Sequence, residues 1–288
     1  MVSLFVQAKF VSFRDDMSIW LQSKAIRSRK MRIRNKPLTF GMTILLWVFS
    51  GLLPFRYALS GQGDEELAKA IVERADRIRF PQAGYQVNVK ITTTAPGRDP
   101  DVRDYEILSR GNDRTIIRTL TPAPDKGQVL LMRDRDLWFF LPNISQAIRL
   151  SAAQRLTGQV ANGDLARANF SGDYNPTILR SEAIDGENYN VLELKAVDRS
   201  VTYDRVVYWV NKSNDRPYKA ELYALSGRLL KTCRYQNYKE GAGGLRPTRL
   251  IMEDALIEGA RSTLEYSELK IKDLPDRMFA KDYMRKLQ

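Results

Sequence analysis

The 288-residue chain contains no histidine and a single cysteine, Cys233. Without histidine, the chain cannot form Ser-His-Asp or Cys-His nucleophilic machinery, most zinc and iron sites, or the usual proton shuttle at neutral pH. A lone cysteine cannot form an intramolecular disulfide, and we interpret Cys233 as a buried structural thiol. These absences argue against an enzyme, and we expect no catalytic residue, no metal and no other cofactor.

The remaining polar residues give no catalytic pattern. The acidic pairs at 65–66 and 134–136 stand at the predicted ends of a helix and a strand, where solvated carboxylates are common. The glycine-rich run at 241–244 lacks the Lys-Ser/Thr ending of a phosphate-binding loop, so we interpret it as a flexible turn between two strands.

The formal net charge of +12 is concentrated at one end of the chain. Residues 1–60 carry ten Lys and Arg against two Asp, which leaves only +4 for residues 61–288. A nucleic-acid-binding domain usually has a concentrated basic surface, and this distribution does not predict one.

The basic N-terminal residues precede an apolar run at 38–55, and the small residues Ala58 and Ser60 follow it. This order is typical of a secretory signal, with cleavage after Ser60. An uncleaved membrane anchor is the alternative, because the apolar run is just long enough to span a bilayer. We therefore expect residues 1–60 to be an extension with a signal or anchor, and 61–288 to be a single periplasmic domain, soluble or tethered to the inner membrane. A secreted protein without disulfides is compatible with a bacterial periplasm.

The pattern after residue 60 predicts a mainly β domain. Leu67, Ala70, Ile71, Ala75 and Ile78 follow helical spacing from residues 64–66, and Pro81 ends this helix. Short alternating strands follow up to residue 150 and again from 177 to 271, about eleven in all, while 151–174 predicts one or two short helices with a loop, and 275–287 a short helix. So many sequential strands favour an antiparallel sheet curled into a barrel or half-barrel.

Two predicted strands are apolar on both faces. Residues 137–141 include Trp138, Phe139 and Phe140, and residues 206–210 include Trp209. Such strands need cover on both faces, which a large core would provide. The alternative is that one aromatic face of a curved sheet is open to a long apolar ligand.

Several segments occur in an order that resembles the LolA-like family of outer-membrane lipoprotein-sorting proteins. They are DLWFFLP at 136–142, RLS at 149–151, LTGQVANGDL at 156–165, DY at 173–174, DG at 185–186, YNVLELKA at 189–196, WVNK at 209–212, PYKAELYALSG at 217–227, and residues 279–287. The resemblance covers most of residues 61–288.

The resemblance implies an unclosed, strongly curved antiparallel β-sheet, a half-barrel with α-helices covering its concave face. It also implies a monomeric, non-enzymatic periplasmic carrier or chaperone that binds lipoprotein acyl chains or lipids for transfer towards the outer membrane, with an inner-membrane transporter as a possible partner. A sensor or adaptor subunit of a membrane transporter or regulator is the alternative. The residues we expect to line the apolar cavity are Trp138, Phe140, Leu156, Val160, Leu165, Val207, Trp209 and Tyr223.

Overall fold

The computed structural model describes residues 60–142, 146–241 and 243–287. Of the predicted signal or anchor in residues 1–60, all but Ser60 lies outside these residues. No helix in the described part of the chain is long and apolar enough to cross a membrane.

Thirteen antiparallel strands form one sheet, in the order β6-β5-β4-β3-β2-β1-β15-β14-β13-β12-β11-β10-β9. In the half of the sheet that ends at the β6 edge, the strands are β1 (Tyr85–Ala95), β2 (Arg98–Arg110), β3 (Arg114–Thr121), β4 (Val129–Arg133), β5 (Asp136–Phe140) and β6 (Ile148–Leu150). In the half that ends at the β9 edge, the strands are β9 (Tyr174–Ile184), β10 (Glu187–Ala196), β11 (Arg205–Asn211), β12 (Pro217–Tyr223), β13 (Leu229–Gly241), β14 (Gly244–Asp254) and β15 (Arg261–Ile271).

Two meanders are joined in the middle of the sheet, where β1 pairs with β15. The sheet does not close, because β6 and β9 remain at opposite edges. Apolar side chains from distant strands, such as Met132 of β4 and Leu192 of β10, nevertheless belong to one buried cluster. Only a strongly curved sheet brings them together, and the predicted unclosed half-barrel is confirmed.

The connection from β6 to β9 joins the two edges of the sheet and packs on its concave face. We call residues 151–173 the cover segment. It contains the hairpin β7 (Arg155–Thr157) and β8 (Val160–Ala161), followed by α2 (Asn162–Ala166). The prediction of helix and loop therefore missed a hairpin, because strands of two or three residues are too short to display an alternating pattern.

The first helix, α1, extends over Ser60–Arg79 and lies across β9, β12 and β14. Its buried apolar side chains are Ala68, Ile71, Val72 and Ala75. The helix begins four residues before the predicted start, and Leu67 is 49% exposed. The buried stripe is thus rotated by about one residue from the predicted one, because packing against the sheet selects the face.

The C-terminal residues cover the convex side of β2–β5. They form a 3-10 helix (Asp276–Phe279) and α3 (Lys281–Met284), separated by Ala280 in an extended conformation, where we predicted one helix. Phe279 and Met284 pack with Phe140. The aromatic strand β5 therefore obtains its second cover from the end of the chain.

The prediction of about eleven strands is too low, because the described residues contain fifteen. Thirteen belong to the main sheet and two to the hairpin in the cover segment. A further 3-10 helix, Ala123–Asp125, lies between β3 and β4.

Candidate functional site

The concave face of the sheet carries a continuous apolar cluster. Alternate residues of each strand contribute to it, as Val206, Tyr208 and Val210 of β11 illustrate. The buried apolar side chains of α1 pack on this face, and the cover segment contributes Leu165 and Phe170 to the same cluster. The sheet, the helix and the cover segment thus enclose one apolar interior.

This interior is almost completely filled. Its cavity measures about 20 Å³ and is lined by Arg79, Asn169, Phe170, Cys233 and Tyr235, among others. A space of this size holds roughly one water molecule. An acyl chain could enter only if α1 or the cover segment moved.

One polar contact attaches the cover segment to α1. The carboxylate of Asp76, which is 1% exposed, accepts hydrogen bonds from the backbone amides of Phe170 at 2.9 Å and Ser171 at 2.7 Å. Burial raises the pKa of this carboxyl, and the charge of Arg79 opposes that effect. Movement of α1 away from the cover segment would break both hydrogen bonds.

A second contact attaches the cover segment to β13. Lys231 Nζ lies 2.9 Å from Asp164 Oδ2, and both side chains are less than one-tenth exposed. Asp164 also accepts hydrogen bonds from the amide of Ala161 at 2.8 Å and the hydroxyl of Tyr203 at 2.7 Å. A buried carboxylate needs such partners, because an unpaired charge in the interior is strongly destabilising.

A third contact attaches the cover segment to two turns of the sheet. Arg167 pairs with Asp173, with a distance of 2.7 Å from Nη2 to Oδ1. Its Nη1 donates to the backbone carbonyls of Asn112 at 2.7 Å and Asp134 at 2.8 Å. Arg135 also pairs with Asp173, at 3.3 Å. Polar contacts therefore attach the cover segment to α1, to β13 and to two turns of the sheet.

An open cavity of about 280 Å³, which we call the mouth, lies beside the last turn of α1. It is lined by Arg79, Phe80, Lys239, Glu240, Gly241, Arg246, Pro247, Thr248, Tyr266, Ser267, Glu268 and Leu269. Phe80 stacks on Tyr85, with 5.7 Å between the ring centroids, and meets Tyr266 edge to face at 5.6 Å. The rings of Phe80 and Tyr266 give the mouth an apolar wall.

Arg79 is the residue that lines both the mouth and the interior. It is 7% exposed and its Nη1 lies 3.4 Å from Asp76 Oδ1. The guanidinium carbon stands 4.6 Å from the ring centroid of Phe170 and 5.3 Å from that of Tyr235. The guanidinium therefore packs against two rings that line the interior.

Cys233 faces the interior and is 2% exposed. Burial raises the pKa of its thiol to about 12. The thiolate is the reactive form, so this cysteine is inert while it stays buried, as the sequence predicts for a structural thiol.

The structure does not bring together the eight residues predicted to line a cavity. Leu156, Val160 and Leu165 lie in the cover segment and pack on the concave cluster. Trp138 and Phe140 face the convex side, with the C-terminal residues. Binding by the first three stays a prediction.

Val207, Trp209 and Tyr223 also lie on the convex side, in a separate cluster with Val191. Lys219 Nζ lies 3.9 Å from the ring centroid of Trp209, so a charged side chain covers this ring. Alternation explains the placement: Val206, Tyr208 and Val210 face the concave cluster, so residues 207 and 209 must point away from it. For strands that are apolar on both faces, the sequence did not reveal which face was concave.

Sequence reasoning missed the polar contacts of the site. Asp76 and Arg79 continue the buried stripe of Ala68, Val72 and Ala75 at spacings of three and four residues. That continuation was the available signal. Asp164 and Lys231 carried no comparable signal, because they are 67 residues apart and meet only in the folded chain.

A family model described only as "Uncharacterized protein" matches residues 111–286. The LolA superfamily protein NE2245 from Nitrosomonas europaea is 59% identical to this chain, with a TM-score of 0.73 over 75% of this chain and 98% of that one.

This chain belongs to the LolA superfamily.

Two more distant structures share the fold of this LolA-superfamily protein. An outer membrane lipoprotein-sorting protein domain from Vibrio parahaemolyticus and a DUF1329 family protein from Desulfovibrio piger are each 22% identical to it, with TM-scores of 0.66. Each alignment covers 77% of this chain and 99% of the other. No curated protein sequence matches the chain significantly. The family predicted from the ordered motifs is thus confirmed.

Proposed function

We propose that this LolA-superfamily protein is a carrier that binds the acyl chains of lipoproteins or lipids between the concave face of its sheet and the covers above it. The observation that carries the proposal is the continuous apolar interior beneath α1 and the cover segment. Buried polar contacts join α1 to the cover segment and the cover segment to the sheet. Such contacts can be broken and re-formed without loss of the sheet.

The energy of acyl transfer supports a reversible exchange. At about 0.8 kcal/mol per buried methylene, a chain of about 14 to 18 carbons gains on the order of 10 kcal/mol on leaving water. Opening the covers exposes apolar side chains and breaks buried hydrogen bonds, which offsets part of this gain. The difference between the transfer free energy and the cost of opening sets the affinity for the acyl chain. A shuttle needs this affinity to be low enough for the chain to be released.

The N-terminal pattern supports a periplasmic location for the carrier. The basic and apolar order of residues 24–60 is that of a secretory signal or anchor. Transfer then runs from the inner membrane towards the outer membrane, and a transporter of the inner membrane is the natural donor. The protein acts in this scheme as a monomer and without a cofactor.

Photolabelling and mass spectrometry test the proposal. The full chain is expressed with its own N-terminal segment, delipidated, and incubated with palmitate that carries a photoactivatable diazirine. We expect one acyl chain per protein, with cross-links on α1, the cover segment and concave residues such as Leu192 and Leu194. Cross-links confined to the convex residues Trp138 and Trp209, or no retained acyl chain, would contradict the proposal. An empty protein that binds a purified membrane transporter would favour the adaptor instead.

A further inference from the structure

The mouth lies where the sheet opens between two neighbouring strands. Pairing between β14 and β15 ends at the pair Arg249 and Glu265. Beyond this pair, β14 stays with β13, as Arg246 pairs with Lys239, while β15 stays with β1, as Tyr266 pairs with Val89. The two strands therefore diverge, and the residues that line the mouth come from both sides of the split.

Unusual backbone conformations accompany the split. Asn237 in β13 and Glu268 in β15 have φ angles of 53° and 54°, in the left-handed region that residues with a side chain rarely adopt. Pro247, which has no N–H to donate, lines the mouth from β14. Strained residues of this kind persist where the surrounding fold requires them, and they are concentrated at ligand sites.

The lining of the mouth combines an apolar wall with positive charge. Phe80, Tyr266 and Leu269 supply the apolar part. Arg79, Arg246 and Lys239 supply cations, whereas Glu240 and Glu268 are the acidic residues of the lining. A site with apolar and cationic parts matches an amphiphile that carries an apolar chain and an anionic head group.

Arg79 has unused hydrogen-bonding capacity. A guanidinium has five N–H donors and stays protonated in proteins. Among the described residues, the Arg79 side chain makes one hydrogen bond, the long one to Asp76 at 3.4 Å, and its buried Nε has no hydrogen-bond partner. A buried donor without a partner is costly, and an anion in the mouth could supply one.

We propose that the mouth binds the anionic head group of an acyl amphiphile, a carboxylate or phosphate, and that Arg79 is the residue that contacts it. This inference rests on the proposed function, because the attached acyl chain passes Arg79 into the interior. The planar guanidinium suits carboxylate and phosphate, since it can donate two parallel hydrogen bonds to either. Lys239 and Arg246 add charge to the lining, and Arg246 Nη1 also donates to the backbone carbonyl of Arg77 at 2.8 Å.

Calorimetric titration of the delipidated full chain tests the inference with four probes of equal chain length. They are palmitate, hexadecyl phosphate, hexadecanol and hexadecylamine, each supplied at the same concentration on methyl-β-cyclodextrin, which keeps all four in solution. We expect the two anions to bind about 10- to 100-fold more tightly than hexadecanol, the range that a charged hydrogen bond provides. Equal affinities, or a preference for the amine, would overturn the inference.

Variants of two arginines in α1 assign the effect. Arg79→Gln should reduce the preference for anions to less than about 3-fold while hexadecanol still binds. Arg77→Gln is the matched control, because it removes the same charge from an exposed position of the same helix and should leave the preference unchanged. If Arg79→Gln does not fold, Arg79→Lys keeps the charge but not the paired donors, and a preference as large as that of the wild type would overturn the role of Arg79.

Two further outcomes separate this inference from the proposed function. Binding of all four probes with equal affinity would leave the carrier proposal intact and remove the head-group site. Inorganic phosphate alone should compete weakly with palmitate. If it bound as tightly as hexadecyl phosphate, in a manner dependent on Arg79, the mouth would be a site for free anions and the inference would be wrong.

Discussion

The carboxylate of Asp76 accepts a hydrogen bond from the backbone amide of Ser171 at 2.7 Å. The bond joins residues 95 positions apart and links α1 to the cover segment. The same carboxylate also pairs with Arg79. Asp76 therefore connects α1, the cover segment and Arg79 in one unit. Opening of the interior should therefore be cooperative.

Asp76→Asn should loosen this unit. The substitution keeps an acceptor for the backbone amides but leaves Arg79 buried without a negative partner. Removing one member of a buried ion pair costs about 3–5 kcal/mol, and we expect a loss of about 3 kcal/mol in the free energy of unfolding, measured by urea denaturation. Asp64→Asn, at an exposed position of α1, is the control and should change stability by less than about 0.5 kcal/mol. Equal effects of the two variants would contradict the assigned role.

Lys231→Met should destabilise the protein by about 3 kcal/mol, because it leaves Asp164 charged and buried. The double variant Lys231→Met/Asp164→Asn should lower the free energy of unfolding by less than the sum of the two single variants. In the double variant neither substitution leaves an unpaired buried charge behind. Lys69→Met disrupts an exposed pair with Glu65 and should cost under about 0.5 kcal/mol. Additive effects in the cycle would show that Lys231 and Asp164 do not interact.

Cys233 should report on the opening of the interior. With a thiol pKa raised by burial to about 12, the folded protein should react slowly with N-ethylmaleimide at pH 8. Because the reagent reaches the thiol only when the interior opens, the rate should be at least about 100-fold below that of the protein unfolded in urea at the same pH. Mass spectrometry follows the labelling. A folded-state rate within about threefold of the unfolded-state rate would indicate an exposed thiol.

Asp76→Asn should also accelerate the labelling of Cys233 at pH 8, because a looser cover exposes the interior more often. Asp64→Asn should leave the labelling rate unchanged. Faster labelling in both variants would attribute the change to a general loss of charge on α1.

Met284→Ala should destabilise the protein without changing acyl binding. Met284 is fully buried on the convex side, and its truncation should cost about 2–4 kcal/mol. Lys286→Ala, at an exposed position two residues later, is the control. Loss of acyl retention by the folded Met284→Ala protein would show that the convex cluster contributes to the site.

Local features of the fold could be predicted from the sequence because short-range rules govern them. The alternation of Val87, Val89 and Ile91 predicted β1, and all three residues are buried. Asp185 and Gly186 predicted a hairpin turn, and both adopt the positive φ angles, 51° and 83°, that such a turn requires. The order of many such segments was sufficient to predict the family and the half-barrel.

By itself, then, the sequence determined most of the strands of the main sheet, their turns, the antiparallel order and the absence of histidine chemistry. Only the tertiary structure decided which face of β5 and β11 is concave. Trp138 and Trp209 stand in strands that are apolar on both faces, so the alternation of apolar and polar residues does not identify the buried concave face. It also decided that Asp76 and Arg79 belong to the interior. A charged residue is buried only where distant chain segments supply its partners, and Ser171 and Tyr235 reach these two residues only when the sheet has curved.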